Sequence, residues 1–142
     1  MPVRERLRRR SGRDMTGVLL VDDEPLVRRG LRALLSDFAD LRVIGDAASG
    51  PAAVEAARKL RPDVVLMDVR MPGGDGLAAT RTLAADAGAP PVVLMSGPGQ
   101  DPDAIPALDA GAAGFLLKNA EAEEVADALR AATRARVTSP PP

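Results

Sequence analysis

The sequence predicts an α/β fold: one open, doubly wound parallel sheet with helices on both faces. Three observations predict it. Five short apolar runs recur from Gly17 onward in βα units of about 20 to 25 residues. Four of the five are nearly continuous in hydrophobicity, as strands of a parallel sheet covered on both faces must be. Between them lie stretches whose apolar residues return at three- and four-residue steps, the period of a helix with one buried face. A chain of 142 residues has room for one such domain.

Residues 1–16, MPVRERLRRRSGRDMT, are dense in arginine and poor in apolar residues, so they read as a disordered basic tail. Met15, just ahead of the first run, is a second candidate start. The runs are GVLLV (17–21), LRVIGDA (41–47), DVVLMD (63–68), PVVLM (91–95) and GFLLK (114–118). In the first helical stretch, 25–37, Leu26, Gly30, Leu31, Leu34 and Leu35 form the apolar stripe and Arg28, Arg29 and Arg32 face outward. In 51–60, Ala53, Val54, Ala57 and Leu60 repeat the pattern. Residues 77–86 are an Ala/Leu helix with Asp75 as N-cap. In 121–134, Val125, Leu129 and the alanines form the stripe. Residues 137–142 are a Pro-rich, linker-like end.

Composition narrows the chemistry. Net charge is −1, which argues for neither nucleic acid nor an acidic substrate. With no cysteine and no histidine, disulfides, thiolate metal sites, imidazole ligands and His-based acid–base catalysis are excluded. Phe38 and Phe115 are the only aromatics, so stacking platforms for single-stranded nucleic acid are missing. No apolar run approaches a membrane span and no secretory signal is legible, which predicts a cytoplasmic protein.

In a doubly wound sheet, ligands bind beyond the carboxyl ends of the strands. Asp22 and Asp23 follow the first strand, Asp68 ends the third, Ser96 follows the fourth, and the fifth runs into Lys118. Three neighbouring carboxylates repel one another and call for a cation. Oxygen-only ligands suit Mg²⁺. A carboxylate beside it can attack phosphorus to form an aspartyl phosphate, with an ammonium and a hydroxyl to stabilise the transferring group. Gly97 leaves open space beside Ser96. Taken singly, these residues have plainer readings: Asp23 before Glu24-Pro25 serves as a helix N-cap, and a lone Ser or Lys after a strand means little. Asp68, closing a buried apolar run, has to be paired or used. Their joint arrival at one sheet edge is what carries the reading.

LLVDDEPLVRRGLRALL, VVLMDVRMPGGDGL and ALDAGAAGFLLKN resemble response-regulator receiver domains, most closely those of NarL/FixJ-type regulators, over residues 17–136. The resemblance implies a flavodoxin-like sheet of order 2-1-3-4-5. It implies phosphorylation of Asp68 by a sensor histidine kinase, and Mg²⁺ held by Asp23, Asp68 and the backbone carbonyl of Arg70, with Asp22 acting through water. It implies Ser96 as switch hydroxyl, Lys118 as ion-pair partner of the phosphoryl group and Phe115 as switch aromatic. A homodimer or partner contact would use the face made by the fourth helix, fifth strand and fifth helix. Such a domain is a switch between two packings and not a metabolic enzyme. Its output would be transcriptional.

Three positions depart from the family pattern. Asn119 stands where many receivers have proline after the lysine. Pro106 falls in the fourth helix and predicts a short one, about 104–110, with Asp103 as N-cap and a loose SGPGQDP loop before it; at the third helical position its missing N–H costs nothing. Relatives of this type usually continue into a helix-turn-helix domain, and no recognition helix stands here. The chain therefore reads as a stand-alone receiver or a piece of a longer regulator, with no nucleic acid contact by these residues. A haloacid-dehalogenase-type phosphohydrolase fails because Arg70 occupies the place of its general acid. A dinucleotide-binding module lacks its G-x-G-x-x-G. An unphosphorylated pseudo-receiver acting as a scaffold is the alternative.

Overall fold

The computed structural model describes residues 15–72, 76–97 and 104–138. Five strands and five helices alternate along the chain: β1 (Thr16–Val21), α1 (Pro25–Leu35), β2 (Leu41–Ala47), α2 (Gly50–Leu60), β3 (Val64–Asp68), α3 (Gly76–Ala85), β4 (Val92–Ser96), α4 (Ala104–Asp109), β5 (Gly114–Leu117) and α5 (Ala122–Thr138). The strands pair in parallel in the order β2-β1-β3-β4-β5. β1 begins inside the expected tail, and α5 runs two residues past the expected boundary at 136. The expected caps Asp75 and Asp103, most of the SGPGQDP loop, residues 1–14 and residues 139–142 lie outside the described residues.

The period of two along each strand divides the interior into two cores. Val18, Leu20, Val64, Leu66, Val93 and Met95 meet Leu35 of α1 and Val125, Ala126, Leu129 and Ala132 of α5. Leu19, Val21, Val65, Met67, Val92 and Leu94 meet Ala53 and Ala57 of α2, Ala79 and Leu83 of α3, and Ala107 of α4. The three central strands are buried throughout, apart from Thr16 at the start of β1.

At the margins the expectations need correction. β5 is an edge strand and only half-buried, although its run is as apolar as the others. β2, the other edge, carries one extra residue, Ile44, between the pairs Val18–Val43 and Leu19–Gly45. On α1, Leu26 is 77 % exposed and Gly30 is also outside the core. Val27, four residues before Leu31, is partly covered instead, in line with the partly buried Leu31 and Leu34 and the buried Leu35. Leu26 sits in the first turn, one position off that stripe. Leu60, in the last turn of α2, is likewise 39 % exposed.

The short fourth helix is present, with Pro106 third within it. The carbonyl of Pro106 still accepts from Ala110 N–H at 2.9 Å, so the proline omits only a donor that a first turn leaves unused anyway.

Candidate functional site

At the carboxyl edge of the sheet, Asp22 continues β1 and is fully buried. Its N–H donates to Ala47 O (3.1 Å) at the end of β2, and its Oδ1 accepts from Glu24 N–H (2.9 Å). The N-cap of α1 is Glu24, without any side-chain cap bond, so the plainer reading of Asp23 as a cap does not hold. Arg28, expected to face outward, instead turns back from α1 and donates Nη1 to the carbonyl of Asp22 at 2.6 Å.

Asp68 closes β3 and is 3 % exposed. Its Oδ1 accepts from Arg70 N–H at 3.2 Å, and its Oδ2 from Lys118 Nζ at 3.1 Å. The same ammonium stands 3.2 Å from Asp22 Oδ2, a buried oxygen with no partner in hydrogen-bonding geometry. One carboxylate oxygen from each of Asp22, Asp23 and Asp68 lies within 4.8 Å of the other two. Of this trio Asp23 is the most open to solvent.

Ser96 ends β4, fully buried, and its carbonyl accepts from Lys118 N–H at 2.8 Å, which ties the last two strand ends together. Phe115 pairs with Leu94 in register and packs, half-buried, on the core shared with α2, α3 and α4. The structure thus gathers Asp22, Asp23, Asp68 and Lys118 into one cluster and sets Ser96 on the same edge. Phe115 lies back along β5, apart from the carboxylates.

Burial pushes the Asp68 carboxyl above its ordinary range, and the charge of Asp22 adds to this; hydrogen bonds from Arg70 N–H and Lys118 oppose the rise without cancelling it. For Lys118, burial pulls the ammonium down, but the hydrogen bond and charge of Asp68 and the nearby Asp22 outweigh it and leave the group above an ordinary lysine. One cation shared between two buried carboxylates leaves the cluster short of positive charge. The donors are all oxygens, the set that a hard divalent cation takes.

Two contributors were not legible as such. Gly76 brings α3 against the end of β3: its N–H donates to Val69 O (2.7 Å), and a Cβ there would overlap the Asp68 carbonyl oxygen. A glycine directly after an expected helix cap was the available signal. Arg28 is the second. A cleft of about 350 Å³ lined by Arg58, Arg61, Leu83 and Asp86 contains none of the residues of the site.

Residues 18–130 match the response regulator receiver domain family. The chain belongs to that family. The receiver is 42 % identical over 120 residues to the transcriptional regulatory protein LiaR of Bacillus subtilis, covering 84 % of this chain and 57 % of that protein. It is 45 % identical over 116 residues to the response regulator GacA of Pseudomonas aeruginosa, covering 82 % and 54 %. It spans about half the length of these curated relatives. A signal receiver domain from Mycobacterium tuberculosis superposes with a TM-score of 0.80 at 35 % identity, covering 87 % of this chain and 99 % of that one. A LuxR-family two-component response regulator from Aurantimonas does so with 0.80 at 31 % identity, covering 86 % and 87 %. The receiver is therefore related to transcriptional regulators of two-component systems. Among its described residues no helix is long and apolar enough to cross a membrane.

Proposed function

We propose that this receiver takes a phosphoryl group onto Asp68 from the phosphohistidine of a sensor kinase and relays its presence to a transcriptional output. The observation that carries the reading is Lys118, whose ammonium stands between Asp68 Oδ2 and Asp22 Oδ2 at 3.1 and 3.2 Å. In the transfer, a carboxylate oxygen of Asp68 forms a bond to phosphorus as the P–N bond to the kinase imidazole breaks, and that nitrogen keeps the electron pair. Hydrolysis of the acyl phosphate later returns the carboxylate and releases inorganic phosphate. Lys118 can follow the transferring group, because its partner oxygen on Asp68 is the kind of atom that becomes bonded to phosphorus. Ser96, on the adjacent strand end, is assigned the hydroxyl donor to that group, and Phe115 the packing change that reports it.

The residues fit Mg²⁺: three clustered carboxylates, one with a buried oxygen lacking a hydrogen-bond partner. Asp23, Asp68 and the Arg70 carbonyl would hold it, with Asp22 through water. When bound, it would offset the negative charge gathering on the phosphoryl oxygens.

The domain acts as a cytoplasmic switch and not as a metabolic enzyme. Partner contact, a second copy included, falls on the face of α4, β5 and α5, where Ile105 is 71 %, Leu108 61 % and Leu117 37 % exposed.

Intact mass with and without a small acyl phosphate donor and Mg²⁺ tests the reading. One phosphoryl mass should appear only with Mg²⁺ and vanish in Asp68→Asn. Absence of the adduct from folded, Mg²⁺-bound protein would favour the scaffold alternative.

A further inference from the structure

We propose that Arg28 is a positioning residue for the acidic pair, acting through the peptide that joins Asp22 to Asp23. The inference rests on the phosphoacceptor reading. The Arg28 guanidinium, half-buried, donates Nη1 to the carbonyl oxygen of Asp22 at 2.6 Å. That carbonyl and the N–H of Asp23 belong to one planar unit, so holding the oxygen sets the plane from which both side chains depart. The other polar groups of Asp22 are engaged independently: its N–H by Ala47, Oδ1 by Glu24 and Oδ2 by proximity to Lys118. The carbonyl is the remaining handle, and Arg28 takes it.

The cost of placing an arginine there argues for a purpose. Arg28 is the fourth residue of α1, and the first turn of this helix has no acidic side chain. A cation at that end opposes the helix dipole. A neutral donor or water would satisfy a carbonyl equally well. A planar guanidinium fixed on that carbonyl orients the peptide more strictly than either, and since its charge by itself opposes a divalent cation, its contribution to Mg²⁺ binding is one of geometry. Arg29, its neighbour, is exposed and provides the control.

Calorimetric titration of the full chain with Mg²⁺ tests this, comparing the unaltered protein with R28Q, R28K and R29Q. Arg28→Gln should weaken Mg²⁺ binding by about tenfold, the scale seen when an outer partner of a metal ligand is removed. Arg29→Gln should leave it unchanged. Arg28→Lys keeps the charge but not the planar fork, and should fall between; it carries the comparison if Arg28→Gln does not fold. Without Mg²⁺, the Glu24 amide resonance should move in R28Q and not in R29Q. Binding by R28Q within twofold of the unaltered protein, or equal weakening by R29Q, would overturn the proposal. Failure of the unaltered protein to bind Mg²⁺ would instead overturn the phosphoacceptor reading, and this inference with it.

Discussion

Asp68 and Gly76 meet where β3 gives way to α3. An added Cβ at Gly76 would overlap the Asp68 carbonyl oxygen and stand 3.1 Å from Val69 Cα, both backbone atoms that cannot rotate away. Gly76→Ala should therefore cost about 1–3 kcal/mol in denaturant unfolding, as overpacking does, and slow uptake of phosphoryl groups from small donors. The carboxyl of Asp68 makes a second prediction. Burial raises its proton affinity in the folded chain, so the stability this lends is present below the ordinary value of 3.8 and is lost as pH rises. Without Mg²⁺, Asp68→Asn should melt above the unaltered protein at neutral pH. Thermal melts against pH should show the gap closing as pH falls into the ordinary carboxylate range. The acidic residues, the serine and the lysine were legible because each ends or follows a strand. Arg28 was not, because helical periodicity places it on the outer face and only the turn of the chain before α1 brings the Asp22 carbonyl within its reach.

The elements were legible in proportion to their burial. The three central strands, covered on both sides, have continuous apolar runs and were located to within a residue or two. β5 has the same kind of run but lies at an edge, a fact set by strand order and not by its own residues. Helix ends were the weakest part. Leu26 matches a helical stripe by spacing, yet it is exposed, and Val27 takes the inward position. At the C-terminal end of α2, Arg61 adopts a left-handed conformation (φ 49°) where glycine is at ease. Arg61→Gly should raise stability by about 1 kcal/mol, measured as a higher denaturant midpoint at unchanged slope.

At the scale of the whole molecule, α5 is fastened to the turn before β2 across 90 residues of sequence. Arg130 donates Nε and Nη2 to Asp40 Oδ2 and Oδ1, both at 2.8 Å, and its guanidinium lies 5.3 Å from the centroid of the Phe38 ring. The hydrogen bonds from Arg130 hold the Asp40 carboxyl below its ordinary range. The stability contributed is complete above the ordinary value of 3.8 and is lost as pH falls through the lowered one. Urea midpoints of Asp40→Asn should lie below those of the unaltered protein at neutral pH, with the difference vanishing in strong acid. Mg²⁺ at about 100 times its dissociation constant should add about 2.7 kcal/mol to the stability of the unaltered protein, and far less to Asp68→Asn, read from melting curves.

By itself the sequence determined the alternation of strands and helices, because the periods of two and 3.6 are local properties of the chain. It also determined the order in which polar residues arrive at the strand ends, and with it the chemistry those residues can perform. The tertiary structure alone decided which strands lie at the edges, and which helix side chains face sheet and which face solvent. It alone brought Lys118 between two carboxylates that lie 96 and 50 residues away, turned Arg28 inward and set Gly76 against Asp68. The first joins distant segments and is set by how the strands are ordered in the sheet; the other two are set by the path of the chain as it leaves β1 and β3, which no periodic pattern records.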